Sequence, residues 1–383
     1  MLCFYQLSLA YAQESLGVAS CASSNCHGSV TGKESTNILQ NEYVTWKRHD
    51  SHAKAWEVLN SPDSKIIGKH LGIDHPESSN LCLSCHATTA KNKGEKFRVE
   101  DGVGCESCHG AASGWIKTHT ETGATHAENI KNGMQDIVNP QLRSNSCLSC
   151  HLGSNQSEVK HKLIGAGHPR LTFELETFSE IQPRHWKQDS DYKQRKGPHN
   201  ASQSWLIGQI SRSLGFLELF LKSTEKDLIP DFTFFNCYSC HHSLKENQWK
   251  NHNYHGAPGK LNLNTSSLTL ISLATENKAL TQLITQLQKA DSRDELINST
   301  KETIKFLKSF SNTEFDSKKA ISNIKKYSLE NPTPQYELAE QIIMAINVLS
   351  GKNSDEFKSV YKALEDEKSF NAIRFSEAIK KLR

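Results

Sequence analysis

The sequence predicts a mainly α-helical protein with little regular sheet: a cysteine- and histidine-rich core followed by a helical C-terminal region. Three observations predict it. Long regular strands of alternating apolar and polar residues are absent. Apolar residues recur at helical spacing in several segments. Only 36 % of the 383 residues are hydrophobic, whereas 11 are Cys and 18 are His. So many soft ligands beside so little apolar content imply that something other than side chains fills the core. The 45 basic and 42 acidic residues give a formal charge of +3 with both signs interspersed, which argues against a nucleic-acid partner. No run of eighteen apolar residues exists, so a membrane-spanning helix is not expected. No low-complexity tract signals disorder.

Residues 1–12, MLCFYQLSLAYA, read as the end of an export signal: a short apolar stretch, then Ala10-Tyr11-Ala12 as a small-x-small cleavage site. The other reading is an ordinary N-terminal strand. Removal of this segment would take Cys3 with it and leave ten cysteines in five pairs.

Those pairs carry the chemistry. Four read C-x-x-C-H: Cys82–Cys85–His86, Cys105–Cys108–His109, Cys147–Cys150–His151 and Cys237–Cys240–His241. A fifth, Cys21–Cys26–His27, reads C-x4-C-H. At this composition chance supplies about 0.015 C-x-x-C-H motifs. Two thiols three residues apart share one face of a helical turn and can form both thioethers to the vinyl groups of haem c. The following histidine then reaches the iron. The longer loop must bulge out two extra residues to do the same. Zinc ribbons, redox dithiols and disulfides are the alternatives, but none calls for a histidine directly after every pair. The expected cofactor is therefore covalently attached haem c, about five per chain.

Residues 13–241 hold all five motifs and read as a pentahaem domain. Within it, Leu206, Ile210, Leu214, Leu217 and Leu221 predict a helix over 203–226, with Trp205, Phe216 and Phe220 widening its stripe into a core-covering face. Residues 242–266 are polar, contain Pro258 and read as a linker. Residues 267–383 read as a haem-free helical domain. Leu280, Leu283, Ile284 and Leu287 mark one helix, and Leu338, Ile342, Ile346 and Leu349 mark another after Pro332 and Pro334. That domain is a candidate cap, or a surface for an oligomer or larger complex.

Five proximal histidines leave 13 of 18. A haem with two axial histidines is saturated and suited to passing electrons; one lacking a distal ligand can bind a small molecule. The candidate distal ligands are His49 and His52, three apart on an expected helix, together with His119, His161, His168 and His185. Arg48, Arg170 and Arg184 lie beside candidate ligands and are expected to face haem propionates.

In order along the chain, SCASSNCHG, W-x2-HDSHAKA, LCLSCHA, GVGCESCHG, SCLSCHLG, GAGHPRLTFEL and QPRHW resemble the multihaem c-type cytochromes of the cytochrome c-554 type, relatives of the hydroxylamine-oxidoreductase group. The resemblance covers about residues 17–190. It implies a mainly helical fold with close haem pairs, an extracytoplasmic (periplasmic) location, electron transfer to redox partner proteins, and His52 and His168 as distal ligands. This chain departs from the tetrahaem type member in its fifth motif, its C-x4-C-H site and its C-terminal region. The expected function is electron transfer through about five haems. The alternative is a reductase or oxidase of a small nitrogen or sulfur compound with one open haem. No non-haem catalytic motif is present.

Overall fold

The protein's structure, a computed structural model, describes residues 13–34, 38–154, 157–227, 229–241, 260–310, 313–331, 335–352 and 354–382. The export-signal segment with Cys3, and residues 242–259 of the expected linker, lie outside the described residues. The chain is mainly helical, as expected, with no sheet among the described residues; two isolated bridges pair Ser15 with Lys93 and Phe235 with Leu263.

The α-helices in chain order are α1 Glu42–His49, α2 Pro62–Leu71, α3 Asn80–His86, α4 Cys105–His109, α5 His126–Lys131, α6 Pro140–His151, α7 His161–Gly165, α8 Leu175–Ile181, α9 Ser190–Lys196, α10 Ala201–Lys226, α11 Ser266–Thr275, α12 Lys278–Lys289, α13 Arg293–Ser309, α14 Ser317–Glu330, α15 Tyr336–Ser350, α16 Lys358–Lys362 and α17 Ala372–Lys381. They belong to two compact units, one of residues 1–146 and 183–197, the other of 147–182 and 198–383.

The first unit is made of short helices and turns. α2 starts at Ser61, whose hydroxyl accepts the Ser64 amide at 3.2 Å, followed by Pro62 at its first position. α5 starts on a reciprocal capping box between Thr125 and Glu128. Its apolar packing is sparse: Val18, Trp46 and Ala53 form a small cluster with Tyr43 and Cys105. Polar bonds do much of the joining. Glu106, buried between the cysteines of the third motif, accepts the amides of Leu16 at 2.8 Å, Gly17 at 2.7 Å and Ala112 at 2.7 Å. Gly17 is required there. Its φ is 87°, and a Cβ would fall 2.4 Å from the Lys96 carbonyl oxygen.

The second unit is a helical bundle. The long α10 is capped by the Asn200 side chain, which accepts the Gln203 amide at 3.0 Å. Of its expected stripe, Trp205, Leu206, Leu217 and Phe220 are at 1 % exposure or less, while Ile210, Leu214, Phe216 and Leu221 are partly buried. The stripe does not simply cover the motif region. It packs into one continuous apolar cluster with Leu268, Leu270, Ile271, Ile342, Ile346 and Phe375 from the helices beyond residue 260. Such side chains supply about 1.5–3 kcal/mol each on full burial, which a bundle can sum into an independent core. α8 crosses α10 closely because Gly208 leaves room: a Cβ there would lie 2.7 Å from that of Leu175. The expected helices around 280–287 and 338–349 are α12 and α15, whose apolar faces enter the same cluster.

Candidate haem centres

Four of the five motifs sit on helical turns, as thioether bridging requires. α3 and α4 carry the second and third motifs, the end of α6 carries the fourth, and a 3-10 turn, Cys237–Ser239, carries the fifth. In the fifth motif the His241 amide donates to the Cys237 carbonyl at 2.8 Å. The C-x4-C-H loop closes in the same way despite its two extra residues. His27 donates its amide to the Cys21 carbonyl at 3.2 Å, while Cys26 and Gly28 turn back onto the Ser23 carbonyl. The longer spacing thus preserves the relation between first cysteine and histidine.

Three motif histidines each have a second imidazole beside them from a distant part of the chain. His27 and His119 have ring centres 6.3 Å apart with planes 11° apart. His109 and His185 stand at 6.5 Å and 69°, and His161 and His241 at 6.2 Å and 32°. An imidazole nitrogen lies about 2.0–2.1 Å from a bound metal and the ring centre about 1.1 Å behind it, so two rings on opposite sides of one iron stand roughly 6.2–6.4 Å apart. The three spacings fit a haem held by two axial histidines. Among the described residues, no three His, Cys, Asp or Glu side chains converge as a metal-ion group.

The electrostatics suit ligation by neutral imidazole. Burial, reinforced by nearby His185 and His27, pushes His109 down to about 4. Burial also lowers His185. His27 is raised instead, because its Nδ1 hydrogen-bonds to Glu42 Oε2 at 2.9 Å. The Cys21 and Cys105 thiols lie against one another, a contact that lowers the first and raises the second. The anchor points of the first and third motifs are therefore adjacent.

The other candidate ligands are placed as follows. His52 sits in a 3-10 turn, Ser51–Lys54, with Nδ1 on Asp50 Oδ1 at 2.9 Å. The ring of His86 donates Nδ1–H to the Ala55 carbonyl at 2.8 Å, three residues from His52. His49 ends α1 on an exposed side. His168 donates Nδ1–H to the Pro169 carbonyl at 2.7 Å. The ring of His151 stacks on Phe173 at 5.4 Å and meets Phe178 edge-on at 5.2 Å. His126 pairs with Asp136 at 3.1 Å and His199 with Glu176 at 2.7 Å.

Arg170 already has protein partners, although its Nη1 is buried with no hydrogen-bond partner. It pairs with Glu340 and, at 3.0 Å, with Glu367, and its guanidinium lies 4.9 Å from the centre of the Tyr336 ring. Carboxylates from the C-terminal helices occupy it, and no local pattern around the GHPR stretch could have announced them. Sequence reading also missed Glu42 and Glu106. For Glu106 a signal existed, since an acid between two cysteines on a buried turn must find donors.

Thiol pairs, four of the five on helical turns, each followed by histidine and in three cases faced by a second imidazole, define a c-type cytochrome that takes part in electron transfer. More particularly, residues 20–110, about a quarter of the chain, match the family model described as cytochrome c554 and c-prime. No curated protein and no solved structure matches the chain. No helix among the described residues is long and apolar enough to cross a membrane.

Proposed function

We propose that the chain is an extracytoplasmic five-haem electron carrier serving redox partner proteins. When bound, haem c supplies one-electron ferric–ferrous chemistry with little change in ligation. The residues that would hold it are the cysteines at 21 and 26, 82 and 85, 105 and 108, 147 and 150, and 237 and 240, with His27, His86, His109, His151 and His241 as proximal ligands. His119, His185 and His161 are the distal partners of His27, His109 and His241. His52 is the candidate for the haem of His86, by its closeness to Ala55, and His168 for that of His151, by resemblance; His49 is the lesser candidate beside His52.

The single observation that carries this reading is the 6.2–6.5 Å spacing of three imidazole pairs drawn from separate parts of the chain. Saturated coordination favours carriage over substrate chemistry. The contact between the Cys21 and Cys105 thiols supports a short route between two attachment sites. Location outside the cytoplasm rests on family habit and on the export-signal reading of residues 1–12.

Haem counting by the pyridine haemochrome method, joined to intact-mass measurement, tests the proposal. Five covalent haems and a wholly low-spin spectrum are expected. A count of four would remove the C-x4-C-H site, and no covalent mass increment would overturn the reading altogether. A high-spin ferric signal that answers carbon monoxide on reduction would favour the enzyme alternative.

A further inference from the structure

The His27–Glu42 contact offers more than ligand placement. Glu42 is the first residue of α1, and its carboxylate is held from both ends. Oε2 accepts from His27 Nδ1 at 2.9 Å, and Oε1 accepts the Gln40 amide at 3.0 Å. Gln40 adopts a left-handed φ of 58°, a conformation that costs a non-glycine residue about 1 kcal/mol or more and gathers at functional sites. It is fixed there because its carbonyl accepts the Ser29 amide at 2.7 Å and its side chain donates to the Asn25 carbonyl at 3.1 Å. The Tyr43 amide in turn donates to the His27 carbonyl at 2.9 Å. A strained residue and a closed set of bonds thus aim one carboxylate at one ring nitrogen.

A neutral carbonyl would orient that ring equally well. His119 and His86 use carbonyls, those of Ile116 at 2.6 Å and Ala55 at 2.8 Å. A carboxylate does something further: accepting Nδ1–H, it draws the proton and leaves more electron density on the coordinating nitrogen. A more basic axial ligand and a fixed negative charge both favour ferric over ferrous iron.

Resting on the five-haem reading, we propose that Glu42 is a tuning residue that lowers the reduction potential of the haem held at Cys21, Cys26 and His27. The claim concerns the change this carboxylate makes, since His52 has a comparable partner in Asp50.

The test is a redox titration of the holoprotein followed by electron paramagnetic resonance, comparing the unaltered chain with Glu42→Gln. The substitution keeps an acceptor oxygen and removes the charge. The ring planes identify the signal. Near-parallel axial imidazoles, as at His27 and His119, give a rhombic spectrum, whereas the 69° pair at His109 and His185 gives one large g value; the 32° pair at His161 and His241 also falls in the rhombic class, and His119→Met, which alters only the spectrum of the His27 haem, assigns the rhombic signal that is followed. The rhombic signal should shift to more positive potential in Glu42→Gln while the large-g signal stays. If Glu42→Gln fails to load haem, Glu42→Asp, which lengthens the contact, should move the same signal the same way by less. Five haems with an unmoved rhombic midpoint in a loaded variant would overturn this proposal alone. An equal shift of every signal would overturn it too. Four haems, with Cys21 and Cys26 recovered as thiols from the unaltered chain, would sink it together with the five-haem reading.

Discussion

The two units reach stability by different means. The second buries a continuous cluster in which Leu270, Ile271, Leu280, Ile342 and Ile343 are inaccessible to solvent. The first has only small groups of buried apolar side chains, such as Val18, Trp46 and Ala53, and relies on short caps and on the buried Glu106. A segment with so little apolar burial cannot offset about 1–2 kcal/mol of backbone entropy per residue by side chains alone. On the proposed function the missing apolar volume is porphyrin. The lesson is that one chain can hold a region that folds around cofactor and another that folds around itself.

That contrast can be broken in three ways. The largest effect is expected when haem attachment is prevented. Hydrogen exchange should then show protection confined to α10–α17, with the amides of α1–α5 exchanging freely; slow exchange throughout the first unit would abolish the distinction. Next is Leu270→Ala, which removes a fully buried side chain from the bundle and should cost about 2–5 kcal/mol in denaturant unfolding, with the haem spectrum unchanged. A loss under 1 kcal/mol would mean that the cluster is not the second unit's main support.

The smallest effect is one of pH. Burial pushes Glu174, at 1 % exposure, up to about 7, although it accepts the amides of Thr177 at 2.7 Å and Glu176 at 3.0 Å. An unfolded glutamate titrates near about 4.3, so between these values the folded state keeps a proton the unfolded state has lost. Stability of the second unit should therefore fall as pH rises from about 4.3 to about 7 and level off above. Glu174→Gln should flatten that slope; an unchanged slope would show that another group sets it.

Much of this was legible beforehand. The motifs announce their thiols and histidines because thioether chemistry demands a fixed spacing, and α10, α12 and α15 announce themselves through period 3.6. Which imidazole faces which was not legible. His119 follows the third motif yet stands beside His27 of the first, and His161 precedes by 80 positions the His241 it meets. Such pairings depend on long-range packing, which leaves no local trace in sequence. The same holds for Arg170, whose partners lie in helices that the chain makes last.

Glu106 gives the spelling of the third motif a hidden constraint. A pattern search treats the two letters between Cys105 and Cys108 as blanks, but the first of them fastens residues 16, 17 and 112 to this turn. A copy of the chain with alanine there would still be recognised by its cysteines and histidine, while the knot that draws its beginning inward had come undone.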